Sequence, residues 1–292
     1  MHYGIAINGS YTVEIFANTA GGMKRGASYD GLFYSQIDAD LERMIGWQDA
    51  RFHAFILQGQ GPSMSQGCVG NLLDVSGTIT EPPATRLYEL WLQQKPFGGA
   101  LSIRARIEGA DSEFILSPTA SLFLNSTFPW PDWMAVDLPG SGPVYPLSAP
   151  FVRAMLYRAR TGGTLSALAR LGGGSPDDRN LISFEGDAGL SYKGLIPARA
   201  DETSGIAFGM ARIGMNARGL DQDFRFFSGN PSYPVRDYEA VLEVTYRAQV
   251  TPWMTQQPDV QYVFHPDGHV QNADGSIRRD TLVIGLHSVL NV

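Results

Sequence analysis

The sequence is poor in cysteine, in charged residues and in long apolar runs. Its 292 residues include one cysteine, Cys68, so an intrachain disulfide is excluded. Charged residues make up 17% of the chain, against about 25% in an ordinary soluble domain. The net charge is −7 and the basic residues are not clustered, which argues against nucleic-acid binding. No apolar run reaches the length of about 18 residues that a transmembrane helix needs.

Sequence motifs for catalysis, nucleotide binding and metal binding are also missing. There is no Walker A sequence, no Rossmann glycine motif after a strand, no nucleophile elbow and no HExxH motif. His265 and His269 are four residues apart, but a proline and a glycine between them predict a loop rather than a helical zinc pair. We therefore expect no enzyme activity, no cofactor and no bound metal.

Two-residue alternation of apolar and polar side chains, the pattern of β-strands, runs through most of the chain. In residues 237–250 the even positions from Tyr238 to Val250 are apolar, and all odd positions except Val241 are polar. The pattern predicts an all-β protein of about twelve strands: 3–17, 31–44, 50–60, 86–95, 100–110, 149–160, 164–172, 181–194, 203–213, 237–250, 258–265 and 280–292.

The connections between the predicted strands alternate in length. Short ones fall at 45–49, 96–99, 161–163 and 251–257, and long ones at 18–30, 61–85, 111–148, 214–236 and 266–279. Short turns at one end and long loops at the other indicate an up-and-down meander, the arrangement of outer-membrane barrels. No boundary divides the chain, so we expect a single domain over residues 1–292.

Alternation by itself fits two opposite orientations of the sheet. A soluble sheet would bury its apolar face and expose its polar face to water. Three features favour the inverse arrangement of a transmembrane antiparallel β-barrel. Many of the segments are long, the polar faces carry acids together with bases, and aromatic residues occur at strand ends: Tyr11, Phe33, Trp47, Tyr88, Tyr192, Tyr238, Trp253 and Tyr262.

The C-terminal part of the chain resembles the OprB-type carbohydrate-selective porins. The most specific piece is TPW…QPDVQY…HP.G at 251–268, and the stretches 9–31, 111–128 and 175–197 are similar to the same family. This resemblance implies an outer-membrane barrel through which small sugars such as glucose diffuse passively. It also implies small sugars and outer-membrane lipids as partners, with no nucleic acid, in a monomer or a homo-trimer.

The sequence departs from this family in length. Family members usually have more strands, and here the apolar face that begins at Val152, Ala154 and Leu156 continues with Arg158. The family-like sequences before and after this point come from strands that are not normally adjacent, which indicates a missing block of central strands. A barrel of about twelve strands lies between filled and water-conducting sizes, so we expect a narrow, wet lumen crossed by Arg–Glu pairs.

We choose the candidate site residues by the face of the predicted strand on which each side chain lies. The predicted pore-lining residues are Arg104, Arg106, Glu108, Glu239, Glu243 and Arg247, followed by Asp38, Asp40, Glu89, Glu185, Asp187, Asp259 and Gln261. The loop 111–148 carries candidates for a constriction or for sugar stacking, namely Phe128, Trp130, Trp133 and Tyr145, unless it forms an outer cap packed on its own aromatics. A soluble carbohydrate-binding β-barrel and a non-conducting structural barrel are the alternative functions.

Overall fold

The strands all belong to one antiparallel sheet. The computed structural model describes residues 3–78, 83–96, 101–109, 111, 117–137, 149–156, 165–172, 180–196 and 199–291. Its strands are β1 (Ile5–Gly22), β2 (Gly26–Asp40), β3 (Ala50–Gln60), β4 (Thr85–Gln94), β5 (Leu101–Glu108), β6 (Ala149–Leu156), β7 (Leu165–Gly172), β8 (Ile182–Lys193), β9 (Thr203–Ile213), β10 (Tyr238–Thr251), β11 (Met254–Phe264) and β12 (Arg279–Asn291). The predicted all-β meander is confirmed.

The order of the strands is that of an up-and-down barrel with one open seam. Neighbours in sequence pair with each other, and β1 pairs with β12 to join the two ends of the chain. Strands β6 and β7 form the two edges of the sheet, and within the described residues each has one hydrogen-bonded neighbour. This seam coincides with segment 149–160, where the sequence indicates a missing block of strands.

Four of the predicted strand boundaries are wrong. The expected long connection 18–30 is a turn of three residues, because β1 extends to Gly22 and β2 begins at Gly26. Strand β2 ends at Asp40, where helix α1 (Leu41–Ile45) begins, and not at residue 44. Strand β11 begins at Met254 rather than at 258, since the tight turn before it leaves only two unpaired residues.

The remaining helices lie in the connections. They are a π-helical turn (Ser65–Val69), 3₁₀ turns at Ala120–Leu122 and Pro266–Gly268, and the α-helices α2 (Asp132–Asp137) and α3 (Met215–Phe227). In the part of the chain that the structure describes, no helix is long and apolar enough to cross a membrane.

Two of the long connections fold back into the sheet and do not project from it. We call residues 61–78 the first inner loop and residues 117–137 the second inner loop. Their apolar side chains pack against the concave face of the sheet in two clusters. One cluster joins Leu73, Leu122, Phe123 and Phe128 to Ile182, Ala207, Ala211, Val241 and Val263, and the other joins Met64, Cys68, Val69, Val75 and Leu124 to Phe16 and Val283.

Candidate functional site

The concave face of the sheet is polar and its convex face is apolar. In β10, Glu243 is 0% exposed and the next residue, Val244, is 48% exposed. The same inversion places large apolar side chains on the outer surface of nearly every described strand, among them Ile15, Phe33, Ile37, Ile56, Ile103, Leu190, Ile206, Phe208, Val260 and Ile284. Such a surface is unfavourable in water and suits lipid. The soluble alternative is therefore wrong.

One aromatic residue departs from the expected outward placement. Tyr88 is buried, and its hydroxyl donates to Asp111 at 2.9 Å. The reason is a β-bulge, since the pairing of β3 with β4 shifts register between Phe55 and Ile56, opposite Tyr88. A bulge adds one residue to a strand and changes which side chains share a face.

The two predicted glutamates of β10 hold the inner loops. The Glu239 carboxylate accepts the backbone N–H groups of Leu72 at 2.8 Å and Leu73 at 2.7 Å, both in the first inner loop. The Glu243 carboxylate accepts the N–H groups of Leu124 at 2.7 Å and Asn125 at 3.0 Å in the second inner loop. We expected Arg–Glu pairs across the lumen, and for these two glutamates that expectation is wrong.

The neighbouring residues of β11 join the two inner loops to each other. Gln261 is fully buried, and its amide nitrogen donates to the Val75 carbonyl at 2.8 Å and to Asp259 at 3.0 Å. The Asn125 side chain donates to the Gln261 amide oxygen at 3.0 Å and to the carbonyl of Leu73 at 3.0 Å. Each loop thus contacts the wall and the other loop, so the two are stabilised together.

Strand β8 supplies a second acidic anchor. Glu185 accepts the Thr127 hydroxyl at 2.7 Å and the backbone N–H of Asp132 at 3.1 Å. Asp187 is ion-paired with Arg170 at 3.0 Å, and the same guanidinium donates to the Thr127 carbonyl at 3.0 Å. The predicted residues Glu185 and Asp187 therefore lie on the concave face, where Glu185 contacts the second inner loop directly and Asp187 contacts it through Arg170.

The second inner loop places an additional carboxyl group beside this anchor. Asp132 is buried, and the hydroxyl of Ser126 donates to it at 3.2 Å. Burial raises the pKa of Asp132 well above its usual range, and the nearby carboxylates of Glu185 and Asp74 raise it further. The docked loop therefore favours a protonated Asp132.

Small residues on the concave face of β9 make room for the second inner loop. A Cβ on Gly205 would lie 2.6 Å from Leu122 and 2.9 Å from the ring of Phe123. A Cβ on Gly209 would lie 3.1 Å from Thr127. Glycine at these positions lets the loop approach the strand closely.

The candidate aromatic residues of this loop occupy different environments. Phe128 is fully buried, with its ring centroid 5.1 Å from that of Phe123, so its surface is used for packing. Trp130 is partly exposed. The side chain of Trp133 and the whole of Tyr145 lie outside the described residues.

The opposite wall, made by β2 to β5, carries a stacked group. Arg104 lies 4.1 Å above the ring of Trp91, and His53 stacks on Trp91 with centroids 4.8 Å apart. The His53 ring is 2.7 Å from Asp38 and 3.6 Å from Glu89, so both predicted carboxylates contact one histidine. Cation–π contact and the two carboxylates fix the orientation of these side chains.

Arg106 and Asp40 are the other predicted residues of this wall whose side chains the structure describes. Arg106 is buried on the concave face of β5. Asp40 lies at the end of β2, where its carboxylate accepts the N–H of Arg43 at 3.1 Å and caps helix α1. The Glu108 side chain lies outside the described part of the chain.

A cavity of about 510 Å³ remains beside the second inner loop, on the short-turn side of the sheet. Polar groups from the wall converge on it, including the exposed Arg247 with Gln249, Gln257 and His287. Among the predicted pore-lining residues, Arg247 faces this space.

Sequence reasoning missed one anchoring carboxylate. Glu14 of β1 is fully buried and accepts the hydroxyls of Ser76 and Thr78, the latter at 3.0 Å, and it contacts His287 at 2.6 Å. Ser10, Thr12 and Glu14 occupy alternate positions of β1, so the polar alternation could have placed Glu14 on the concave face. The loop groups that bind Glu239 and Glu243 are backbone amides, which leave no signal in the sequence.

An inverted sheet with an apolar exterior, an ionisable interior and loops folded inside it defines a porin-type β-barrel. Comparison with protein families agrees with this class. The carbohydrate-selective porin OprB family matches residues 24–155 and again 151–291, and the chain belongs to this family. The two matches meet at β6, at the open seam. The protein is therefore a bacterial outer-membrane protein, and its family and fold indicate a channel rather than an enzyme.

Individual relatives agree with this assignment. Porin B of Pseudomonas aeruginosa is 27% identical over 111 residues, a stretch that spans 36% of this chain and 24% of Porin B. The high-pH structure of Pseudomonas putida OprB superposes with a TM-score of 0.87 at 18% identity, covering 100% of this chain and 95% of that one. The low-pH structure of the same protein gives a TM-score of 0.51 at 18% identity, covering 93% of that chain. At 18% identity, the similarity to these two solved structures shows the fold of this chain.

Proposed function

We propose that this porin allows passive diffusion of small carbohydrates such as glucose through a water-filled lumen. The observation that carries the proposal is the cavity beside the second inner loop. Its volume of about 510 Å³ lies within the range of about 300–1,000 Å³ that small-molecule sites occupy. A guanidinium, two side-chain amides and an imidazole line it, and these groups exchange hydrogen bonds with sugar hydroxyls as readily as with water.

The wall formed by β4 and β5 supports the same proposal. Arg104 and Arg106 project from alternate positions of β5 to the concave face, and Gln93 and Ser102 lie beside them. We propose that these residues, with the other predicted pore-lining side chains, contact the solutes that pass. The inner loops narrow the lumen and so act as the constriction.

Liposome swelling tests the diffusion proposal. Purified protein reconstituted into liposomes should admit glucose faster than sucrose, because the narrowed lumen favours the smaller solute. Liposomes without protein serve as the control. Equal rates for both sugars, at the level of the empty liposomes, would contradict the proposal and identify a closed barrel.

Ion selectivity in planar bilayers tests the proposed pore-lining position of β5. The double variant R104A/R106A should have an ion selectivity shifted toward cations relative to the unchanged protein, because two positive charges leave the concave face. Arg43→Ala is the matched control, since this arginine is 64% exposed on the turn helix α1. Identical selectivity of all three proteins would show that Arg104 and Arg106 do not face the conducting path.

A non-conducting structural barrel is the second candidate function. Two observations favour it: the inner loops fill part of the interior, and strands β6 and β7 leave the described sheet open. The same swelling experiment separates it from a sugar pore. The assembly state, a monomer or a homo-trimer, is a further prediction that native mass spectrometry of the detergent-solubilised protein would decide.

A further inference from the structure

Two histidines and an aspartate meet on the long-loop side of the barrel, apart from the lumen wall. Asp237 directly precedes β10, and His265 and His269 follow β11 in the last long loop. The carboxylate of Asp237 places one oxygen 3.3 Å from Nδ1 of His265 and the other 3.9 Å from Nδ1 of His269. The donor atoms of all three residues lie within 4.8 Å of one another.

These separations are close to those of a bound transition metal. Ligand atoms about 2.1 Å from a tetrahedral ion are about 3.4 Å apart. The first pair already has this separation and the second exceeds it by about half an ångström, while the donor atoms of the two histidines lie within 4.8 Å of each other. The imidazole rings lie face to face, with centroids 3.6 Å apart, so their rotation is the adjustment that binding requires.

The loop that carries the histidines has an uncommon backbone. His265, Asp267 and His269 have φ values of +49°, +56° and +79°, a region that side-chain-bearing residues seldom adopt. Such conformations persist where the surroundings enforce them, and they are concentrated at functional sites. Here they turn both imidazoles toward the same carboxylate.

Hydrogen bonds position two of the three residues, Asp237 and His265, without a metal. The N–H of Asp237 donates to the carbonyl of Gly268 at 3.1 Å, and the N–H of Tyr238 donates to the Asp237 carboxylate at 2.7 Å. The N–H of His265 donates to Asp280 at 3.0 Å. Ligands fixed by such outer contacts bind a metal at a lower cost in ordering.

We propose that Asp237, His265 and His269 form a binding site for a divalent transition metal, with Zn²⁺ as the ion that fits best. Two imidazoles and a carboxylate favour zinc over magnesium or calcium, which prefer all-oxygen sites. The three side chains are 22–39% exposed, so an ion can reach them from solvent. The bound ion ties the loop before β10 to the loop after β11. The latter loop is also connected to the first inner loop through Glu239 of β10, whose carboxylate accepts the N–H groups of Asp267, Leu72 and Leu73.

Titration calorimetry with Zn²⁺ tests the site on protein without a polyhistidine tag. The variants are His265→Asn, His269→Asn and Asp237→Asn, because asparagine tolerates the left-handed backbone of the two histidine positions. Asp274→Asn is the matched control for charge, since this exposed aspartate lies in the same loop outside the cluster. Co²⁺ absorption spectra provide a second measurement that reports ligand type directly.

The wild-type protein and Asp274→Asn should bind one Zn²⁺ with equal affinity. Each of the three cluster variants should bind at least about tenfold more weakly, because even outer-sphere changes cost that much. Unchanged Co²⁺ spectra in all three variants would overturn the proposal, as would an absence of Zn²⁺ binding by the wild-type protein. Far-UV circular dichroism and heat-dependent electrophoretic mobility show whether each variant keeps the barrel.

Discussion

Replacing Glu239 with alanine should release the first inner loop from the wall. The buried carboxylate of Glu239 accepts three backbone N–H groups: those of Leu72 at 2.8 Å, Leu73 at 2.7 Å and Asp267 at 2.5 Å. Leaving a buried donor without a partner costs about 1–3 kcal/mol. Only Leu72 and Leu73 belong to the first inner loop. Water can enter the lumen and satisfy some of these donors, so the lower end of the range applies, about 2 kcal/mol for the docking of this loop.

This free energy sets the size of the measurable effect. Since about 1.4 kcal/mol corresponds to a factor of ten, the population of the undocked loop should rise about thirtyfold. Hydrogen exchange of the peptide covering residues 70–76 should accelerate accordingly, because Leu72 and Leu73 lose their acceptor. Cys68, the one cysteine of the chain, is buried in the same loop and gives a second readout through its rate of maleimide labelling.

Two variants control for the change of charge and of volume. Glu239→Gln keeps an acceptor oxygen and should show a smaller effect than Glu239→Ala. Asp38→Asn removes a carboxylate from the opposite wall, where Asp38 contacts His53, and should leave exchange in residues 70–76 unchanged. If Glu239→Ala exchanges and labels at the wild-type rate, Glu239 does not anchor the loop and the reasoning is refuted.

Two further predictions concern the second inner loop. Docked Asp132 has a raised pKa, so docking is strongest at acidic pH and weakens as the pH rises through that pKa. Protection factors of residues 120–128, which are exchange rates corrected for intrinsic base catalysis, should therefore fall as the pH rises in the wild type and fall less in Asp132→Asn; equal pH profiles of the protection factors would contradict this. Gly205→Ala should cost about 1–3 kcal/mol, because its Cβ would lie 2.6 Å from Leu122. Gly219→Ala, where no atom lies within 4 Å, is the control, and equal thermal unfolding temperatures for the two variants would rule out the close approach.

The strands and their faces were largely predictable because the alternation of side chains is local. The predicted strand 203–213 is β9, and the predicted strand 50–60 is β3. Glu239 and Glu243 were placed on the face opposite Leu242 and Val244, and the structure has them there. A pattern of period two needs only the geometry of one extended strand.

The errors at the start of the chain have a physical cause. The predicted connection 18–30 contains Gly21 and Gly22, but both continue β1 with positive φ in an irregular stretch of its pairing with β12. A Cβ on Gly22 would lie 3.0 Å from the carbonyl oxygen of Cys68, so the glycine is needed for contact with the first inner loop. A glycine in the sequence does not reveal whether it ends a strand or makes room for a distant segment.

The sequence by itself predicted the antiparallel meander, favoured an apolar exterior and indicated the position of the seam within residues 149–160. Only the tertiary structure decided which loops fold inside the sheet and which carboxylates hold them. Glu239 lies 167 residues from Leu72, and Glu243 lies 119 residues from Leu124. The donors in these contacts are backbone amides, which almost every residue carries, so the pairing depends on where the chain places them and not on side-chain identity.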